Sequence, residues 1–267
     1  ASGNPRAVLY ARTAQHRSAM ADFHEAALHY AQQFYPQLGD CQLTEGLKGM
    51  LKLGESLPED LLNAHPELSS RRNVNIDQAS QLSGVATRLG GIYYPQAGWL
   101  VPKAICQALS SIENIEFIAN TKINGLEKTS TAWQAHDHQG NSFDSDIIVI
   151  ASGQLSHQFE QTAWLPLRLL RGQTTDLPAT AESQKLRLAI CQEGYSTPAE
   201  NGYHSIGSSY SKDTEQQLST QDHLDNINKL RASLADNSDW HCQLEPSEQS
   251  LESLNGRVGF RCVTPDY

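Results

Sequence analysis

Residues 115–153 constrain the fold more than any other part of this sequence. Strand patterns at 115–119, 121–127 and 131–137 and a turn at 138–141 lead to a fully apolar run, Ile147-Ile148-Val149-Ile150. The small residues Ala151-Ser152-Gly153 follow it directly. A short apolar run of this kind, bounded by turn residues, is typical of a strand buried on both faces. The order predicts a β-meander that leads into a buried strand.

The rest of the sequence alternates helix and strand patterns without an internal repeat. Helical spacing predicts a helix over 18–34 that ends before Pro36, Val101-Pro102 opens a helix to about Ser110, and Asp77 is predicted to cap a short helix through Leu82. Further patterns indicate strands at 48–53, 90–99, 166–177, 186–191 and 203–208, a loop at 57–70, a helix at 214–234, and a strand pair at 252–263 turning at Asn255-Gly256. These elements predict a soluble α+β or α/β protein.

Composition narrows the function classes. The 267 residues allow one large domain or two modest ones, and the longest apolar stretch, 147–151, is far shorter than the roughly 20 residues of a membrane span. Thirty acidic against 20 basic residues give a formal charge of −10, which repels phosphate backbones overall. The only local basic cluster near the N-terminus consists of Arg6, Arg12, His16 and Arg17, and a solvated helix start explains these residues equally well. No basic and apolar leader begins the sequence, so we expect a cytoplasmic protein without a membrane contact.

Common catalytic motifs are missing from the sequence. It contains no GxGxxG, GxxxxGK[ST], HExxH or GxSxG, and the ten histidines are scattered, so no metal site is predicted. The five cysteines show neither CxxC nor Cys/His ligand spacing, and we expect reduced thiols, most of them in the core.

Small-residue and arginine sites are the remaining candidates. Ala1-Ser2-Gly3-Asn4 reads either as a disordered tail or as a loop that approaches a phosphate. Residues 151–153 form either a simple turn or a place where a cofactor lies against the backbone. Arg171 and Arg261 stand in apolar strand sequence, where each makes either a surface salt bridge or a two-bond clamp on a substrate carboxylate.

Five sequence segments together resemble the flavin oxidases of the D-amino-acid oxidase and glycine oxidase class. They span the chain: ASGNPRAVLYA (1–11), GGIYYPQAGWLVPKAICQAL (90–109), VIASG (149–153), LPLRLLRGQTT (165–175) and GRVGFRCVTPDY (256–267). The ASGN start, the LRGQ tetrad and the final segment are more similar to the C-terminal oxidoreductase module of bifunctional tRNA 5-methylaminomethyl-2-thiouridine biosynthesis proteins. GGxxxPxxGxxxP marks only the wider class.

The resemblance implies a partial Rossmann-like FAD-binding domain beside a mixed-sheet substrate-binding domain. It assigns 1–40 and 110–165 to the FAD domain, 41–109 and 166–255 to the substrate domain, and 256–267 to the start of a final FAD-domain strand. The family's GxGxxG unit and its C-terminal end do not match any part of this sequence, which begins with Ala1 rather than Met. We therefore expect a piece of a longer protein that binds FAD weakly or not at all and is itself inactive.

The resemblance also implies residue roles. Ser2, Gly3 and Asn4 match the flavin-contacting loop, and Arg171 and Gly172 lie in a segment expected near the isoalloxazine ring. Arg261 matches the arginine that binds the substrate carboxylate, whereas Tyr10 and Tyr195 are expected to line the cleft. The remaining FAD contacts are implied at Lys122, Ile123, Ala151, Ser152 and Gly153.

The activity implied by the resemblance is FAD-dependent removal of the carboxymethyl group from 5-carboxymethylaminomethyluridine at the tRNA wobble position. A linked methyltransferase domain using S-adenosylmethionine is implied elsewhere in the parent, with no obligate protein partner. Two alternatives remain open: a glycine or sarcosine oxidase that accepts a free amine, and a docking module without redox activity.

Overall fold

The computed structural model describes residues 3–11, 18–39, 45–58 and 71–265. They fall into two compact units, described separately below. The first comprises Ala1–Leu109, Gln173–Tyr210 and Gln216–Gly259, and the second comprises Ser110–Gly172, Ser211–Glu215 and Phe260–Tyr267. Throughout the described residues, no helix has the length and apolar character needed to cross a membrane.

In the described ranges, the strands outnumber the α-helices. The helices are α1 (Ala19–Phe34), α2 (Ile76–Ser83), α3 (Pro102–Ser110), α4 (Thr220–Ser233), α5 (Asp239–Gln243) and α6 (Glu248–Glu252). The strands are β1 (Ala7–Leu9), β2 (Met50–Leu53), β3 (Arg72–Val74), β4 (Gly91–Tyr94), β5 (Gly98–Leu100), β6 (Ile123–Lys128), β7 (Trp133–Asp137), β8 (Ser142–Ser145), β9 (Arg168–Pro178), β10 (Ala189–Cys191), β11 (Tyr195–Ser196), β12 (Tyr203–Gly207) and β13 (Asn255–Val263).

The largest sheet has eight strands in the order β13-β9-β12-β11-β10-β2-β4-β3. Strands β10 and β2 run parallel, whereas β12 pairs antiparallel with both β9 and β11. Strands β1 and β5 form a separate antiparallel pair, and β6, β7 and β8 form a three-stranded sheet. The mixed sheets and surrounding helices confirm the predicted α+β class.

Both faces of the large sheet are buried near β2 and β10. Because side chains alternate across a strand, Leu51 and Ile190 enter one apolar cluster, whereas Met50, Ala189 and Cys191 enter another on the opposite face. The first cluster also contains Ile227 and Leu230 of α4 and Trp240 of α5. The second cluster carries the partly buried Tyr10 and Tyr195. This second face therefore holds both predicted cleft tyrosines.

Two predicted helices form, but one is capped by a different residue. Ser18 precedes α1, and its hydroxyl accepts a hydrogen bond from the Ala21 amide at 3.1 Å. Asn75 rather than Asp77 caps α2: its side chain accepts from the Gln78 amide, and the Gln78 side chain accepts from the Asn75 amide. The prediction of Asp77 as the cap is wrong because this reciprocal box already begins the helix at Ile76.

The predicted strands at 115–119 and 147–150 are absent from the structure. After β7, a turn held by the Asp137 carboxylate, which accepts from the Gln139 and Asn141 amides, returns the chain directly into β8. Residues 147–150 have no hydrogen-bonded strand neighbour among the described residues, and Ile147 and Val149 are 77% and 82% exposed. An apolar run forms a buried strand only where neighbours supply backbone partners and cover.

The predicted hairpin at Asn255-Gly256 is also wrong. These residues begin the single strand β13, and the preceding residues form α6. A Cβ atom added to Gly256 would lie 2.2 Å from the Thr174 carbonyl oxygen. The glycine at this position therefore allows close backbone approach to β9 rather than a turn.

Most of the described cysteines are not core residues, in contrast to the prediction. Cys106 and Cys242 are exposed, Cys262 is partly buried, and Cys191 alone among the described thiols is buried; Cys41 lies outside the described residues. All four described thiols are free. Burial raises the pKa of the Cys191 thiol to about 12, so this side chain is neutral at physiological pH.

Two buried histidines make stability dependent on pH. Burial lowers the pKa values of His204 and His223 below their usual value of 6.5, so below that pH the unfolded chain binds protons more readily than the folded one. We expect the free energy of unfolding, measured by urea denaturation, to fall as pH decreases from about 6.5 toward the folded-state pKa values.

A substitution pair isolates this effect. His204→Gln is expected to reduce the slope of stability against pH, whereas His157→Gln, at an exposed position, should leave the slope unchanged. Equal slopes for the wild type and His204→Gln would contradict the assignment.

Candidate functional site

The N-terminal segment of the predicted site is bound to β13. Ser2 lies outside the described residues, but Asn4 Oδ1 accepts a hydrogen bond from Arg257 Nη1 at 2.5 Å. A Cβ at Gly3 would lie 2.6 Å from Arg257 Nη2, and a Cβ at Gly259 would lie 2.9 Å from Nη1. The Arg257 guanidinium therefore fits between two glycines. Sequence reasoning missed Arg257, although the glycines on either side of it in the GRVG segment were a usable signal.

Arg6 is buried and anchors the next residues of this segment. Its guanidinium pairs with the Glu200 carboxylate, donates to the Pro198 carbonyl at 2.8 Å, and lies 4.8 Å from the centre of the Trp99 ring. The predicted basic cluster around Arg6 is therefore wrong for this residue, because its charge is neutralised inside the first unit. The other members, Arg12, His16 and Arg17, lie outside the described residues.

Tyr10 and Tyr195 pack against the same apolar cluster of the first unit. The Tyr10 ring meets the Tyr94 ring edge-on, with centroids 6.0 Å apart. The Tyr195 hydroxyl donates to the Arg6 carbonyl oxygen at 3.4 Å and lies 3.5 Å from Ser205 Oγ. Burial raises the pKa of Tyr195, so the phenol is neutral. The structure thus brings these two predicted residues to one face of the sheet.

A cavity of about 400 Å³ lies in the first unit beside Arg6. Its walls include Asp176 of β9, Tyr203 and Ser205 of β12, and Asn255 at the start of β13. Burial raises the pKa of Asp176, although the Arg6 and His223 charges oppose the shift. The volume falls within the range of about 300 to 1,000 Å³ that is typical of ligand pockets. This cavity was not predicted, because its walls come from five separate parts of the chain.

A second cavity of about 290 Å³ is lined by α1 and the residues that follow β4. The Arg71 guanidinium forms a two-bond ion pair with Glu25 and lies 4.9 Å from the Tyr94 ring centre. This cation, like Arg6 in the first cavity, is therefore already paired with a carboxylate of the same unit.

Arg171 is buried in the second unit. It is 2% exposed, its backbone exchanges hydrogen bonds with Ser211, and its Nε donates to the Glu215 carbonyl at 2.6 Å. The alternative of a surface salt bridge is therefore wrong for this residue. Gly172 follows it and is partly buried. The proximity of both residues to a flavin stays a prediction.

The predicted dinucleotide contacts of the second unit are accessible. Lys122 is exposed, and Ile123 is partly buried at the start of β6. Ala151, Ser152 and Gly153 are all exposed, Gly153 has φ of +56°, and a Cβ added there would meet nothing within 4 Å. This open glycine backbone fits a cofactor that must approach the main chain closely, as FAD would.

Arg261 is exposed on β13 and belongs to the second unit, together with Arg171 and residues 122–123 and 151–153. Gly3, Asn4, Tyr10 and Tyr195 belong to the first unit. The predicted site residues thus divide between the two units, and the roles given to them stay predictions. Within the described ranges, no group of three His, Cys, Asp or Glu side chains could hold a metal ion.

The complete chain, residues 1–267, matches the DAO family of FAD dependent oxidoreductases. The chain belongs to this family. It is 33% identical over 279 residues to the tRNA 5-methylaminomethyl-2-thiouridine biosynthesis bifunctional protein MnmC of Stutzerimonas stutzeri, and 34% identical over 280 residues to that of Pseudomonas syringae pv. syringae. Each alignment covers 100% of this chain but 40% of the relative, so the chain spans about two fifths of the length of these relatives.

Solved structures share the fold at low identity. Glycine oxidase from Geobacillus kaustophilus aligns with a TM-score of 0.68 and 16% identity, covering 94% of this chain and 69% of that one. Iminodiacetate oxidase from Chelativorans sp. BNC1 aligns with a TM-score of 0.70 and 15% identity, covering 97% and 73%. These likenesses confirm the predicted D-amino-acid oxidase-like fold.

Proposed function

We propose that the full-length protein containing this chain performs FAD-dependent oxidation of 5-carboxymethylaminomethyluridine, with or without the 2-thio group, at the tRNA wobble position. The observation that carries this proposal is the 33% identity to the MnmC relatives over all of the chain. Fold likeness alone would favour amine oxidation in general, because one fold supports many substrates. The reaction removes the carboxymethyl group and leaves aminomethyluridine.

The substituent on the uracil is an N-substituted glycine. Bound FAD supplies the acceptor for a hydride from the carbon between nitrogen and carboxylate. Water then adds to the resulting C=N bond, which divides the adduct into the free amine and glyoxylate. In this scheme the chain's own residues orient the substrate, and no acid–base pair is required.

Residue roles follow the sequence predictions. Arg261 would bind the substrate carboxylate through two parallel hydrogen bonds, and Tyr10 and Tyr195 would line the cleft. Residues 122–123 and 151–153 would hold FAD, together with Ser2, Gly3 and Asn4. The accessible backbone at Gly153 supports the FAD assignment. Arg171 and Gly172 would lie near the flavin, with Arg171 fixing the loop that contains Glu215.

The domain assignment remains part of this proposal. The FAD-binding domain would consist of residues 1–40, 110–165 and 256–267, and the substrate-binding domain would consist of residues 41–109 and 166–255. A methyltransferase domain using S-adenosylmethionine would lie in the remaining length of the parent, since the relatives are bifunctional. A tRNA substrate would place the reaction in the cytoplasm.

A glycine or sarcosine oxidase is the second candidate, favoured by the structural likeness to glycine oxidase. The test compares glyoxylate release by the purified full-length protein from tRNA carrying 5-carboxymethylaminomethyluridine and from free glycine. We expect at least a hundredfold higher kcat/KM for the tRNA. Equal or greater activity on glycine would contradict the tRNA proposal, and a colourless protein without glyoxylate release would favour a docking module.

A further inference from the structure

The cavity beside Arg6 has features that no role described above uses. Its lining combines one carboxyl group (Asp176), two side-chain amides (Asn201 and Asn255) and one aromatic ring (Tyr203). Tyr203 is 47% exposed, so a ligand can reach this residue. All of these residues belong to the first unit.

Asp176 is an acceptor without a donor. Within the described ranges, its carboxylate has no hydrogen bond and no ion pair, although the side chain is partly buried. The Arg6 charge acts to lower the pKa of Asp176, but the donors of Arg6 already bind Glu200, Thr197 and Pro198. A desolvated carboxylate of this kind is unfavourable on its own and favourable when a ligand supplies an N–H donor.

The charge of the cavity disfavours the phosphate backbone of an RNA substrate. Two carboxylates, Asp176 and Glu200, face a single guanidinium, and the protein as a whole carries a formal charge of −10. Phosphate groups are therefore repelled. An unpaired base is uncharged, has a flat face for the Tyr203 ring, and presents donors and acceptors at its edge.

We propose that this cavity binds an unpaired uracil-type base of the RNA substrate. The imide N–H of the base donates a hydrogen bond to the Asp176 carboxylate. The Asn201 and Asn255 side-chain amides donate to the neighbouring carbonyl groups of the base, and the Tyr203 ring stacks on its face. The inference rests on the proposed function, since it requires an RNA substrate. It adds the residues that distinguish uracil from other bases, and it assigns the cavity to the base rather than to the amine or its carboxylate.

Nucleosides provide the direct test. Binding of uridine, N3-methyluridine and cytidine to the FAD-loaded full-length protein is measured by ligand-observed NMR titration. Uridine is expected to bind at least fivefold more tightly than N3-methyluridine, which lacks the donor, or cytidine, which presents an acceptor there. Equal affinities would overturn the proposal, as would methylamine competing with uridine on equal terms, because a simple cation site would explain such competition.

Two variants test whether Asp176 is the carboxylate that recognises uridine. Asp176→Asn is expected to weaken uridine binding about tenfold. Asp146→Asn removes the same charge at an exposed position outside the cavity and should leave binding unchanged. Unchanged uridine affinity in Asp176→Asn would overturn the proposal.

The melting temperature of Asp176→Asn distinguishes a role of Asp176 in base recognition from a role in folding. Since burial raises the pKa of Asp176, its charge disfavours the folded state at pH 7, and Asp176→Asn should melt at the same temperature as the wild type or higher. Weaker binding together with a lower melting temperature would count against recognition. Glyoxylate release from tRNA without uridine discrimination would overturn this inference alone, whereas absence of both flavin and glyoxylate would overturn the proposed function.

Discussion

Replacing Arg6 with alanine is expected to destabilise the protein by about 2–4 kcal/mol, because the change leaves buried acceptors without a donor. The Arg6 side chain is 7% exposed and joins the N-terminal segment to residues nearly 200 positions later in the chain. Alanine removes the ion pair to Glu200 and the hydrogen bonds to the Thr197 hydroxyl and Pro198 carbonyl. Urea denaturation at pH 7.5 measures the loss.

A matched control distinguishes burial from charge. Arg88 pairs with Asp236 at 3.1 Å, but both side chains are more than half exposed. Arg88→Ala should therefore cost only about 0–1 kcal/mol. Similar losses for Arg6→Ala and Arg88→Ala would contradict the anchoring role of Arg6.

Replacing Arg261 with alanine in the FAD-loaded full-length enzyme is expected to raise the KM for modified tRNA about 10- to 150-fold, the equivalent of a lost charge-assisted hydrogen-bonded pair. The effect follows from the proposed contact with the substrate carboxylate. Arg261 is exposed on β13, so a ligand can reach it. Steady-state kinetics of glyoxylate release measure KM and kcat separately.

Arg168→Ala provides the control, because Arg168 is also exposed on a strand of the second unit. Its KM should match that of the wild type. An unchanged KM in Arg261→Ala would remove this residue from the site, and equal increases in both variants would indicate a general loss of positive charge.

Local signals predicted the elements that depend on neighbouring residues. The hydroxyl of Ser18 and the helical spacing after it are sufficient to begin α1, and Pro102 occupies the first turn of α3 without loss of a hydrogen bond. Strand predictions were wrong where the deciding contact is made by residues far away in the sequence. The run at 147–150 has strand composition, but composition does not supply the neighbouring strand that such a run requires. Likewise, Gly256 is explained by the Thr174 carbonyl, some 80 positions earlier.

Predictions for the candidate site show the same difference between local signals and contacts that only folding creates. Tyr10 and Tyr195 were predicted from family resemblance, and the structure packs both against one cluster. Arg6 was expected in a basic patch because other cations stand near it in sequence, whereas Glu200, its actual partner, is brought in by folding. The Asp176 cavity could not be predicted, since the burial of this carboxylate and its lack of a partner among the described residues depend on the assembled sheet.

We propose that the full-length protein containing this chain oxidises a modified tRNA with bound FAD. The most direct measurement is the visible flavin absorption of the full-length protein after anaerobic addition of tRNA carrying 5-carboxymethylaminomethyluridine. The account predicts loss of the oxidised flavin band with the modified tRNA and no change with tRNA that lacks the carboxymethyl group. A band that persists with the modified tRNA but disappears with free glycine would contradict the account.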